Sequence, residues 1–170
     1  MEAKNRRKIL LEKLYSTTQP LTGAVLAKEM GVSRQIIVGD IAILRAAGTE
    51  IYATPQGYIV PGKPHRNTIV TKLACNHDRE ALEKELAIII DNGGKVLDVI
   101  VEHAIYGEIK ANLMLASRRE INEFLVKLEN GAEPLSTVTG GIHLHTVEVP
   151  SQEALAQIEA ELKNKGILVN

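Results

Sequence analysis

A break rich in proline and glycine near position 61 constrains the fold of this sequence more than any other feature. The stretch Pro61-Gly62-Lys63-Pro64-His65 has the composition of a linker. Three helical patterns and a short hairpin precede it, whereas strand-like and helix-like segments alternate after it. We therefore predict two domains, residues 1–61 and 67–170, joined by a linker at 62–66.

The first part has the pattern of three helices followed by a hairpin. Its apolar residues recur about every four positions, at Leu10 and Leu14, Leu26 and Met30, and Ile37, Ile41 and Leu44. Thr22 and Ser33 are candidate N-caps of the second and third helices. Gly31 is placed to end the second helix in the left-handed conformation. Segments 50–53 and 58–60 then predict the two strands of a hairpin.

The turn Gly31-Val32-Ser33 between two helices predicts a helix-turn-helix. Its second helix would present free N–H groups and a positive dipole end to phosphates. Arginine and glutamine in its first turn can contact base edges or the backbone, and the hairpin would act as a wing. The predicted DNA-contacting residues are Ser33, Arg34, Gln35, Val38 and Arg45, with Gln56 and Tyr58 on the wing. The open alternative is a winged helix that docks another protein.

Charge is distributed unevenly between the two parts. Residues 1–66 contain ten Lys and Arg against five Asp and Glu, whereas residues 67–170 contain ten against sixteen. This asymmetry indicates that only the first part meets a polyanion such as DNA.

Composition also bears on location. No apolar run approaches the roughly 20 residues that span a bilayer, and no apolar segment follows the basic N-terminus. The single cysteine, Cys75, excludes an internal disulfide and suits a reducing compartment. We expect a soluble cytoplasmic protein without a membrane partner, in which Cys75 is a core residue.

The second part predicts an α/β sandwich, with a mostly antiparallel sheet covered by helices. The predicted strands are 68–75, 95–102, 105–115 and 142–149, with a short one at 167–169, and the predicted helices are 79–92, 117–130 and 151–164. The whole chain is thus of the α+β class.

Histidines at strand ends indicate a metal site. In the predicted strand around Gly141-Ile142-His143-Leu144-His145, the two histidines project from one side, and Ile142 and Leu144 are expected to face the core. His77 follows the first strand, Glu85 lies two helical turns later, and His103 ends another strand. Imidazole with carboxylate suits a divalent transition metal such as nickel, zinc, iron or manganese.

Residues 6–60 resemble the winged helix-turn-helix that opens proteins of the biotin-repressor type. The similarity is carried by Leu26-Ala27, by the stretch Gly31 to Gln35, by Asp40-Ile41, and by Gly57-Tyr58. Gly39 departs from the family pattern, which usually has a long polar residue at this position. The adenylate-binding loop of the biotin-protein ligases has no counterpart here.

The second part resembles the small-molecule-binding domain named for its three histidines. The matching stretches are Asn76-His77-Asp78, Tyr106-Gly107-Glu108-Ile109, Pro134-Leu135-Ser136 and the run from Thr139 to Thr146. Together, the two parts look like the niacin-responsive transcriptional repressors of NAD biosynthesis. This resemblance implies a homodimer that binds operator DNA better with nicotinic acid. It also implies metal ligands His77, Glu85, His143 and His145.

A mechanism follows as a hypothesis. The metal would leave coordination positions open to a pyridine carboxylate, and His103 or Arg118 would contact the rest of this effector. Two alternatives stay open. One is a repressor that responds to metal without an organic effector, and the other is a metal-dependent enzyme in which the ion activates water.

Overall fold

The computed structural model describes residues 2–62 and 67–169. Residues 63–66, which make up most of the predicted linker, lie outside the described residues, as do Met1 and Asn170. The chain divides into two compact units, Met1–Lys63 and Pro64–Asn170. Across the described ranges, no helix combines the length and apolar character needed to cross a membrane.

The first unit is built from three helices and an antiparallel hairpin, as predicted. Its elements are α1 (Ala3–Tyr15), α2 (Gly23–Met30), α3 (Arg34–Ala46), β1 (Tyr52–Thr54) and β2 (Gly57–Ile59). The three helices and the segment before β1 share one buried cluster. It contains Leu10, Leu14, Leu26, Ala27, Met30, Ile37, Ile41 and Ile51. The helix-turn-helix therefore owes its stability mainly to apolar burial between helices.

Local signals set the ends of these helices. The Thr22 hydroxyl accepts a hydrogen bond from the Val25 N–H at 3.2 Å, and the Ser33 hydroxyl accepts one from the Ile36 N–H at 3.3 Å. Gly31 ends α2 with a φ of 65°, the left-handed conformation that glycine adopts without strain. These caps fix the turn that aims the N-terminus of α3 outward.

The second unit contains one four-stranded sheet and three helices. The strands are β3 (Ile69–Asn76), β4 (Lys95–His103), β5 (Gly107–Leu115) and β6 (Ile142–Val149), and the helices are α4 (Leu82–Asp91), α5 (Arg118–Glu129) and α6 (Gln152–Asn164), with short 3-10 turns at Arg79–Ala81 and Leu135–Thr139. The strand order is β3-β6-β4-β5, and every pairing is antiparallel. The predicted antiparallel sheet is thus confirmed.

The three helices cover one face of this sheet. Leu86 of α4, Ile121 of α5 and Ile158 of α6 belong to the same buried cluster as Leu73 and Val147 of the sheet. The predicted last strand at 167–169 is reduced to a single bridge between Leu168 and Cys75.

The predicted orientation of β6 was wrong. Ile142 is 54% exposed, whereas His143 and His145 lie with Val147 on the buried, helix-covered face. The two histidines do share one side, as strand alternation requires. The apolar residues of this strand change sides along its length, so alternation alone did not identify the core side.

Candidate DNA-binding surface and metal centre

The outward face of α3 carries small side chains at its centre. Ile37 and Ile41 are buried, so Gln35, Gly39 and Ala42, about half a turn away, are exposed. A Cβ at Gly39 would meet nothing within 4 Å, so internal packing does not require a glycine at this position. The missing side chain leaves the helix backbone open to close approach by a partner.

Arg34 and Ser33 flank this face at the start of α3. Both are exposed, and the Ser33 hydroxyl is used in capping the helix. The Arg34 side chain lies over the start of α2, where a Cβ on Gly23 would be 3.4 Å from its Nε. Val38 is half-buried beside them. The helix N-terminus and one cation are therefore presented together, a combination that suits phosphate.

Two of the predicted DNA-contacting residues, Arg45 of α3 and Tyr58 of the wing, make internal contacts that the sequence did not indicate. Arg45 donates from Nε to the carbonyl oxygen of Ile51 at 2.7 Å, and its guanidinium lies 5.9 Å from the centre of the Tyr58 ring. Tyr58 is half-buried and packs against the core of this unit. The Nε2 of Gln56 is buried without a hydrogen-bond partner among the described residues. Arg45 and Tyr58 thus hold the wing against α3.

In the second unit, three histidines converge on one carboxylate. The Nε2 atom of His77 lies 2.6 Å from Oε2 of Glu85, that of His143 lies 3.1 Å from Oε1, and that of His145 lies 3.3 Å from Oε2. Glu85 is fully buried, and the side chains of the three histidines are at most 5% exposed. The four residues predicted as metal ligands therefore form one cluster.

Helix α4 places Glu85 there because the residue falls within an apolar stripe. Leu82, Leu86 and Ile89 follow one another at spacings of four and three residues and are all buried, and Glu85 lies among them. A carboxylate in such a stripe must face the sheet, and burying it costs several kcal/mol unless partners compensate (about 2–7 kcal/mol for a polar group, more for a charge). The histidines at the ends of β3 and β6 are those partners.

Backbone carbonyl groups fix the orientation of all three imidazoles. The Nδ1 atoms of His77, His143 and His145 lie 2.6, 2.7 and 2.7 Å from the carbonyl oxygens of Asp78, Gly141 and Asp98. A carbonyl oxygen only accepts, so each Nδ1 carries the proton. In the neutral ring, Nε2 then has a lone pair that faces the Glu85 carboxylate. Such carbonyl contacts characteristically orient histidines that bind metals.

The lone pairs on the three Nε2 atoms and the Glu85 carboxylate would repel each other, so a cation, either a proton or a metal ion, must lie between them. Burial raises the pKa of Glu85, but attraction to His145 and hydrogen bonding to the three histidines outweigh burial and hold that pKa well below its ordinary value. Burial lowers the pKa values of His77 and His145, yet Glu85 reverses this effect and raises both. Without another cation, the cluster binds protons as an imidazolium–carboxylate group.

The types of donor in this cluster also suit a divalent transition metal. Two ligands held about 2.0–2.3 Å from one ion are separated by roughly 3–4.5 Å. The separations of Glu85 from His143 and His145 fall in this range, at 3.1 and 3.3 Å. The 2.6 Å contact of His77 is shorter and is typical of a charge-assisted hydrogen bond. These residues could hold zinc, nickel, iron or manganese.

Three supporting residues were missed at the sequence level. Gly141 has a φ of 110°, and a Cβ there would lie 2.6 Å from the His77 carbonyl oxygen, so glycine lets β3 and β6 approach. Asp98 is buried where the β4–β6 register shifts, and its Oδ1 accepts from the Thr146 N–H at 2.9 Å. Cys75 faces the cluster, and burial first, then Glu85, raises the pKa of its thiol. Cys75 and His77 lie two residues apart, and this spacing in a strand was the available sequence signal that both side chains point to the same side.

His103 and Arg118, predicted to contact an effector, lie in different places. His103 ends β4, three residues beyond the pairing of Ile100 with Leu144, towards the end of the sheet where β6 begins. Arg118 does not join the histidine cluster. Its guanidinium makes two hydrogen bonds to Asp91, at 2.8 and 2.6 Å, in an exposed pair beside a groove of α4. Glu85 and Asp91 are on different faces of that helix.

Comparison with known proteins agrees with both halves of this description. Residues 6–59 match a helix-turn-helix domain family, and residues 70–170 match the 3H domain family. The chain is 42% identical to the probable transcription repressor NiaR of Thermotoga maritima over 165 residues, 96% of this chain and 93% of that protein. It is 40% identical to the transcription repressor NadR of Bacillus subtilis over 169 residues, 97% and 93% of the two chains.

Both relatives are named as transcription repressors and not as enzymes. The resemblance to transcription repressors found in the sequence is thereby confirmed, and both names favour the predicted repressor over the alternative of a metal-dependent enzyme. The helix-turn-helix domain makes DNA its partner. The chain therefore belongs to the family of DNA-binding transcription repressors in which a helix-turn-helix domain precedes a 3H domain.

Proposed function

We propose that this repressor binds operator DNA as a homodimer and binds it more tightly when nicotinic acid occupies a metal centre. The centre would consist of a divalent transition metal held by His77, Glu85, His143 and His145. One observation carries the proposal: three imidazoles, oriented by backbone carbonyls, direct Nε2 at one buried carboxylate. The resemblance to niacin-responsive repressors supports genes of NAD biosynthesis or niacin uptake as targets, in the cytoplasm.

His103 supports an anionic effector because its neutral ring carries the proton on Nε2, whereas the three histidines of the cluster carry it on Nδ1. Its Nδ1 accepts hydrogen bonds from the N–H groups of Ile105 and Tyr106, at 3.1 and 3.3 Å. In the neutral ring, the proton is therefore on Nε2, which can donate to a carboxylate but cannot bind a metal. The bound metal would supply an open coordination position for the pyridine carboxylate. Arg118 has no part in this proposal, because it pairs with Asp91.

The response would depend on two recognition helices. In a dimer, the two copies of α3 must lie about 34 Å apart to enter successive major grooves. Effector binding would favour this spacing, and a coupling of about 1–3 kcal/mol is sufficient for regulation. In this proposal, residues 1–61 form the DNA-binding domain and residues 67–170 form the regulatory domain.

A binding titration tests the effector. The probe is fluorescent DNA from the region upstream of a niacin-uptake gene of the same genome, titrated with nickel-loaded protein. We expect nicotinic acid to increase affinity about 5- to 150-fold, and nicotinamide, which lacks the carboxylate, to have little effect. His103→Asn should weaken the response and leave nickel binding intact, whereas Glu102→Gln, an exposed neighbour, should change neither. An affinity that does not depend on nicotinic acid would reject this effector.

A repressor that responds to metal alone is the second candidate, and burial favours it. Glu85, His143 and His145 are at most 3% exposed, so an organic molecule could reach an ion among them only if the surrounding residues moved. Independent variation of free nickel and nicotinic acid separates the two candidates. A shift in DNA affinity with nickel alone, and no further shift with nicotinic acid, would support metal sensing.

A further inference from the structure

Cys75 lies within the cluster that forms the proposed metal centre. In the β3–β6 ladder it is directly opposite His143, and Leu73 is opposite His145. Side chains opposite each other on one face of a sheet have Cβ atoms about 5 Å apart. The sulfur of Cys75, a carboxylate oxygen of Glu85 and a ring nitrogen of His143 all lie within 4.8 Å of one another. Three kinds of metal donor from three elements therefore meet at one point.

We propose that Cys75 is a further ligand of this centre and that the centre takes a thiophilic divalent cation, such as zinc, nickel or cobalt, in preference to manganese or magnesium. The inference rests on the proposed metal centre and deepens it. Thiolate is a soft ligand that favours these metals, whereas imidazole and carboxylate alone would also suit manganese. Cys75 would thus narrow the range of metals that the other four residues allow.

Position and chemistry both distinguish Cys75 from a simple core residue. Leu73, at the matching position two residues earlier, is 3% exposed and meets the packing requirement of the strand with an apolar side chain. At position 75, by contrast, the strand places a sulfur beside a buried carboxylate. On binding, a metal–sulfur bond forms, the S–H bond breaks, and the proton leaves to solvent without any redox change.

Cobalt spectroscopy on the full chain tests this assignment. The chain has one cysteine, so any sulfur-to-metal charge-transfer absorption can be assigned to Cys75. We expect chelator-treated protein to bind one Co²⁺ per chain with an intense near-ultraviolet band. Cys75→Ser should lose this band and bind Co²⁺ about tenfold or more weakly. Leu73→Val, which alters packing at the matching position without removing a donor, should retain the band.

Equilibrium dialysis in parallel makes the outcomes distinguishable. If the wild-type chain binds one Co²⁺ without a charge-transfer band, Cys75 is not a ligand, and the centre of three histidines and Glu85 stands. If the wild-type chain binds no Co²⁺, both the assignment and the proposed metal centre fail. Should Cys75→Ser not fold, the wild-type spectrum and dialysis still decide the question.

Discussion

Asp40 in the first unit of this repressor and Glu85 in the second are both buried carboxylates, and the two differ in what neutralises their charge. Asp40 of α3 is 3% exposed and pairs with Arg6 and Arg7 of α1, at 2.5 and 3.4 Å. Glu85 of α4 is also buried, but its partners are three histidines. Arginine is always charged, whereas imidazole gives up its proton near neutral pH. The first carboxylate is therefore neutralised permanently by its own chain, and the second can exchange protons for a metal ion.

This difference separates a structural ion pair from a candidate sensor. The Asp40 pair joins two helices and should not depend on solution conditions that alter metal or protons. The Glu85 cluster should respond to both. Three measurements can strengthen or overturn the distinction.

The largest expected effect is on metal binding. Glu85→Gln removes the charge at the centre of the cluster, and we expect nickel affinity to fall by at least about 100-fold in calorimetry. Glu83→Gln, an exposed residue on the same helix, is the matched control and should bind nickel normally. Normal nickel binding by Glu85→Gln would show that the Glu85 carboxylate, like that of Asp40, does not take part in metal binding.

A smaller effect is expected on the winged unit. Asp40→Asn leaves Arg6 without its buried partner, so we expect the unfolding temperature of this unit to fall by several degrees, with or without chelator. Circular dichroism melting curves measure this change. Glu29→Gln removes an exposed pair with Lys13 and should alter stability little. If the effect of Asp40→Asn changed with metal, the two carboxylates would not be independent.

The smallest expected effect is a pH trend in metal-free protein. The pKa values of His77 and His145 are raised in the folded state. Their pairing with Glu85 therefore stabilises the folded state in full at pH values below the pKa of histidine in the unfolded chain, about 6.5. This stabilisation is lost as the pH rises through the raised pKa values of the folded state. Urea unfolding of chelator-treated protein should show a gradual decline above about pH 6.5.

Nickel-loaded protein should show the opposite trend over the same range, because protons compete with the metal for Nε2. Glu85→Gln lacks the charge that raises the histidine pKa values, so its metal-free stability should decline less. If the stability of metal-free and nickel-loaded protein changed with pH in the same direction, protons and nickel would not be competing for the same histidine nitrogens.

The winged unit could be predicted closely from sequence because its signals are local. Thr22, Gly31 and Ser33 each act on residues within one turn, and the apolar stripes repeat within single helices. The wing was less predictable. The contacts of Arg45 with Ile51 and Tyr58 depend on how the hairpin folds back, which spacing does not reveal.

The four residues of the candidate metal centre were indicated by the resemblance to the three-histidine domain, whereas the orientation of β6 was not predictable. Strand alternation places His143 and His145 on one side, and a carboxylate in an apolar stripe marks Glu85. The buried side of β6 could not be inferred, since Ile142 and Val147 lie on opposite faces. The pairing of Arg118 with Asp91 joins residues 27 positions apart and had no sequence signal.

The irregular pairing at Asp98 couples the alignment of two central strands to the direction of one imidazole. Its carbonyl oxygen accepts a hydrogen bond from Nδ1 of His145, and its carboxylate accepts one from the backbone N–H of Thr146, the next residue of β6. If β6 slid by one residue against β4, both hydrogen bonds would break together. The sheet that supports this domain therefore also orients a proposed metal ligand, so we expect a change in the position of the His145 ring to be felt in the pairing of β4 with β6.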